Sequence, residues 1–154
     1  MSSQDALMPS PFPAQSKTAN KTVASIPTTA TAIFFTDKIL ITISQGGRLA
    51  QWVHVPLDGS LPEAHPLPPE VDPESDAPPS DLLPMSHLTA TTVLGGTVPE
   101  RDTLGQLLAT QIASAIATKD TDEKRMVVVG LGLEKSTLGR EEFMDLVELV
   151  LGII

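Results

Sequence analysis

The chain contains no cysteine and no tyrosine, and aromatic residues make up only 3% of it. The first absence excludes disulfide staples, thiol catalysis and any cysteine-based zinc site, and it points to cytosol or nucleus as the compartment. There is no run of about 18 apolar residues to cross a bilayer, and the first residues, MSSQDALMPSPFPAQSKTANK, have no apolar stretch of signal-peptide length. Membrane insertion and secretion are therefore disfavoured. Basic residues are also missing where they would matter. From Asp58 to Asp81 there are seven carboxylates and no Lys or Arg. That stretch carries most of the formal charge of −9 and leaves about −2 for the rest. A basic face for DNA or RNA is absent, and the acidic stretch repels phosphate backbones and anionic lipid.

What is present is enough apolar residue, 41%, to build a core. The fourteen prolines are unevenly placed, with Pro9, Pro11 and Pro13 near the start and nine between Pro56 and Pro84. Residues 1–21, rich in Ser, Pro, Gln, Asn and Thr without periodic apolar positions, read as a disordered tail. Residues 57–85 read as an acidic, Pro-rich disordered loop interrupting a single domain over 22–154. What remains is roughly 100 residues, a size at which a lone domain is only marginally stable and pairing with another subunit helps.

Within that domain the periodicity is clear. TTATAIFFT from Thr28 is dense in β-branched and aromatic residues. After a turn at Thr36-Asp37-Lys38, Ile39, Ile41 and Ile43 alternate with Leu40, Thr42 and Ser44, the pattern of a half-buried strand. Gly46-Gly47 offers a second tight turn, and LAQWVHV follows, so a three-stranded meander is predicted. HLTATTVLGG gives a fourth strand with Leu88, Ala90, Thr92 and Leu94 on one face. Leu104, Leu107, Leu108, Ile112, Ala115 and Ile116 recur at helical spacing behind Pro99 and predict a helix to about Thr118. MVVVGLGL is apolar on both faces and predicts a central strand. A second helix is predicted from about Leu138, with Glu141 and Glu142 in its first turn and Phe143, Leu146, Val147 and Val150 on one face.

The fold class is therefore α+β: a mostly antiparallel sheet of five to six strands with two helices packed on one face, the other face being used for dimerisation. Leu40, Thr42 and Trp52 are the candidates for that partner-facing surface. A lone Trp is by type more often a core or part-core residue, yet Trp is also enriched at interface hot spots.

The segment from Gly130 through Gly132 to Lys135-Ser136 follows a strand and precedes a helix, as a phosphate loop does, but its spacing fails. No Gly precedes the lysine, and the position that a dinucleotide fingerprint needs as its third glycine is Lys135. The glycines read instead as places where a helix approaches a central strand closely. His54, His65 and His87 form no metal-ligand spacing, and no G-x-S-x-G elbow exists. No catalytic residue, cofactor or metal site is predicted.

SQGGRLAQWVHV, TATTVLGGTVPERDTLGQLLATQIASAI, RMVVVGLGLEKS and the final helix resemble the corresponding segments of the proteasome assembly chaperone 3 family, from about Thr22 to the end. The long acidic insert departs from the family's shorter connection. The resemblance implies a non-catalytic chaperone that dimerises with a related small chaperone similar to proteasome assembly chaperone 4, or with itself. Such a pair binds proteasome α subunits and promotes assembly of the 20S α ring. A small scaffold or adaptor subunit of another multiprotein complex is the competing expectation.

Overall fold

In the computed structural model, residues 14–58 and 88–154 are described. Strands β1 (Gln15–Val23), β2 (Ile26–Phe34), β3 (Lys38–Gln45), β4 (Gln51–Val55) and β5 (Thr91–Leu94) precede helix α1 (Pro99–Lys119), strand β6 (Met126–Gly132) and helix α2 (Arg140–Leu151). The α+β class and the six-stranded, mostly antiparallel sheet are as predicted. The strand order is β1-β2-β3-β6-β4-β5.

That order corrects the predicted meander. β6 inserts between β3 and β4, parallel to the first and antiparallel to the second. The segment apolar on both faces takes the interior place, and a parallel neighbour for β3 requires a long crossover, here the chain through β4, β5 and α1. Gly46 and Gly47, both at φ +72°, turn the chain over the end of β6 without closing a hairpin between β3 and β4.

The second correction concerns the tail. Residues 15–21, assigned to it by composition, form most of β1, which pairs with β2 along its full length. The connecting turn is Ala24-Ser25 with both φ values positive, 51° and 66°. Hairpin turns of that shape ordinarily use Asn-Gly or Gly-Gly, so the sequence carries no signal for it. Val23, fully buried, anchors the strand, and Lys21 Nζ donates to Asp145 Oδ1 at 2.9 Å and Glu148 Oε2 at 2.7 Å on α2. The two carboxylates raise the lysine's pKa, Glu148 most. Residues 1–13 lie outside the described residues, as do 59–85 of the predicted loop. Its first residue, Leu57, belongs to the core.

Both helices lie on one face. α1 packs on β4, β5 and β6, α2 on β1 and β2, and the two touch each other. Ala32, Ile41, Val129 and Val53 line up in register across four strands beneath them, all fully buried. Leu108, Ile112 and Ile116 of α1 and Leu146, Val147 and Val150 of α2 meet this row. Leu107, counted with α1's apolar stripe, is 54% exposed, because the inward arc is narrower and is filled out by Ala109 and Ala113.

The loop between α1 and β6 is pinned by Arg125. Its guanidinium bonds Glu123 at 2.7 Å, donates to the carbonyl of Phe35 at 3.0 Å and lies 5.9 Å from the Phe34 ring centroid. The hydrogen bonds from Arg125 hold the Glu123 carboxyl down at about 2.

Candidate interaction face

Strand alternation fixes which side chains the helices leave uncovered. Leu40, Thr42 and Ser44 of β3 are half-buried on the face opposite Ile39, Ile41 and Ile43. Trp52 and His54 of β4 stand on that same open face, opposite Gln51, Val53 and Val55. Pairing then brings the predicted residues together. Thr42 is in register with Gly130 of β6, and Gly130 with Trp52 of β4. One step along, Leu40 is in register with Val128, and Val128 with His54.

Gly130 is the reason Trp52 can lie as it does. A methyl group at Gly130 would meet Trp52 Cζ3 at 2.8 Å and Cη2 at 3.0 Å, so the indole lies over the glycine across the middle of the open face. Gly132 serves a different crossing, since a methyl there would fall 1.5 Å from the Arg48 carbonyl oxygen. The predicted reason for these glycines, close approach of a helix, is thus corrected. What approaches is an indole ring at one and a backbone segment at the other. The remainder of the loop-like motif is also accounted for, as Lys135 Nζ pairs with Glu142 Oε1 at 3.4 Å and so faces the start of α2.

Two further members of the face escaped the sequence reading. Ile33 of β2 is in register with Leu40, and Val128 of β6 lies on Leu40's other side. Both are half-buried and extend the apolar strip to Ile33, Leu40, Val128 and Trp52. Ile33 sits in an unbroken apolar run, where alternation gives no face. Val128's position depends on β6 entering between β3 and β4. Toward β1 the face becomes polar: Thr18 and Thr31 share a hydroxyl hydrogen bond of 3.1 Å, and Thr29 donates to Asn20 at 2.7 Å.

The open face therefore has an apolar centre, one indole and a hydroxyl-rich flank, a composition suited to protein contact. Among the described residues there is no group of three His, Cys, Asp or Glu that could hold a metal ion, and no helix long and apolar enough to cross a membrane. His54 lies on the open face, while His65 and His87 are outside the described residues.

No protein-family model matches the chain, and no curated protein matches it in sequence. Its fold does have a solved counterpart. A chain in the crystal structure of a novel chaperone complex for yeast 20S proteasome assembly superposes with a TM-score of 0.54 at 14% sequence identity, covering 88% of this chain and 96% of that one. The chain thus shares the fold of a proteasome-assembly chaperone subunit over nearly its whole length.

Proposed function

We propose that this protein is a non-catalytic assembly chaperone of the 20S proteasome. It pairs through the open face of its sheet with a related small chaperone or a second copy, and the pair holds α-type subunits while the α ring forms. The observation that carries the reading is the match of the fold, across 88% of the chain, to a subunit of a complex for yeast 20S proteasome assembly. A second, independent support is the open face itself. A sheet covered by helices on one side only, with Ile33, Leu40, Val128 and Trp52 on the other, has an apolar surface that a partner would cover. The cytoplasm, with the nucleus, is the compartment where such work is done.

The test is a mild affinity purification of the tagged full chain from its own cells, with mass spectrometry of the bound proteins. The expected result is several proteasome α subunits and a second small α+β chaperone, with few mature β subunits. A coherent set of subunits from another complex would replace this reading with that of a scaffold or adaptor.

A further inference from the structure

At the end of the sheet where the parallel strands β3 and β6 finish lies a cavity of about 490 Å³. Its walls include Gln45, Arg48, Ala50, Arg101, Gly132 and Glu134. The left-handed pair Gly46-Gly47 sends the chain across the end of β6, and Gly132 is what lets the Arg48 carbonyl pass there. The Ala50 amide then donates to the Leu131 carbonyl at 2.8 Å and fixes the crossing. Gln45, only 4% exposed, bonds the Glu134 amide through Oε1 at 3.0 Å and Thr28 Oγ1 through Nε2 at 3.1 Å. Arg101, in the first turn of α1, donates to the Leu133 carbonyl at 3.1 Å, which holds its guanidinium at the cavity wall. The walls are thus built from three separate segments, each tied down by hydrogen bonds.

The charges on these walls do not cancel. Two arginines and one glutamate are among the lining residues, and among the described residues neither Arg48, Arg101 nor Glu134 forms an ion pair. A net charge of one positive unit matches a single carboxylate. A phosphate dianion would be overcharged there and would face Glu134. Guanidinium groups also fit carboxylates in bidentate geometry.

We propose that this cavity is a docking site for an aspartate or glutamate side chain on an acidic segment of a partner protein. The inference goes beyond the assembly role and does not depend on which complex the chain serves. The cavity's walls do not include Ile33, Leu40, Val128 or Trp52, the apolar residues of the open face.

The experiment is a heteronuclear NMR titration of the isotopically labelled full chain with an end-blocked Glu-Glu-Asp-Glu-Glu peptide, with its Gln/Asn counterpart, and with inorganic phosphate. Saturable shifts of the Gly46, Gly47, Gly132 and Glu134 amides with the acidic peptide alone are expected, together with about tenfold weaker binding for Arg48→Ala. Arg48 is exposed, so its replacement leaves the fold intact, which the same spectrum verifies. If the spectrum of Arg48→Ala changes throughout, Arg48→Lys takes its place. That variant keeps the charge and loses the fork, and it should still bind more weakly than the unaltered chain. Shifts scattered over the surface, equal response to phosphate, or unchanged affinity in the variant would overturn the proposal.

Discussion

The two faces of the sheet are made by the same strands, residue by alternate residue, yet their circumstances are opposite. Beneath the helices, Ile39, Ile41, Ile43, Val127 and Val129 are at most 1% exposed. On the far side, Leu40, Val128 and Trp52 are just as apolar and remain only partly buried. Residue type distinguishes the faces only in part, since β3 alternates Ile with Leu40, Thr42 and Ser44 while Leu40, Val128 and Trp52 keep the open side apolar. The difference is that α1 and α2 cover one of them and nothing among the described residues covers the other. An apolar strand face is therefore no proof of a core, and here the uncovered one is the surface we propose for a partner.

Substitutions at neighbouring positions of β3 can break that comparison. Ile41→Ala removes a fully buried side chain packed among Ala32 and Val129, and it should cost about 2–4 kcal/mol in urea unfolding. Leu40→Ala, one residue away, should cost less than about 1 kcal/mol when the protein is measured at a concentration too low for association. Equal costs would mean that the open face is a second core.

Association sharpens the same comparison from the other side. Trp52→Ser should weaken pairing, measured by sedimentation equilibrium, by about tenfold or more, as expected for loss of an aromatic anchor near the centre of an interface. The folded monomer loses the packing of the indole on Gly130. Unchanged association with a destabilised monomer would make Trp52 a core residue of this chain alone.

A local effect, outside both faces, lies at the end of the sheet, where Arg125 ties the loop before β6 to the β2–β3 turn. Glu123 titrates at about 2 in the folded protein against an ordinary value of 4.5. Because the folded value is depressed, the pair's stabilisation is present above pH 4.5 and is lost as pH falls from there toward 2. Glu123→Gln should cost about 1–2 kcal/mol at neutral pH and remove that part of the acid sensitivity, which thermal unfolding between pH 3 and 6 would reveal.

How far the sequence could be read follows from which interactions are local. β3 and α2 were legible because each carries its periodicity on its own residues: Ile39, Ile41 and Ile43 for one, Leu146, Val147 and Val150 for the other. β1 was not, since QSKTANKTV has a single fully buried side chain and is held by pairing with β2 and by Lys21 reaching α2. Its turn, Ala24-Ser25, takes a backbone shape that neither residue advertises. Leu40, Thr42 and Trp52 were legible as members of a face. Their assembly around Gly130 was not, since that depends on β6 lying between two strands that look adjacent in sequence. The Arg48 and Arg101 cavity left no motif, because its residues are far apart in the chain and meet only through backbone crossings.

The sequence by itself determined the α+β class, the two amphipathic helices and the side of β3 that each residue occupies, because hydrophobic periodicity is a property of contiguous residues. Only the tertiary structure decided the strand order, the pairing of β1, the work done by Gly130 and Gly132, and the meeting of two arginines at the end of the sheet. Those outcomes depend on which apolar surfaces bury one another across long sequence separations, and no local pattern records that choice.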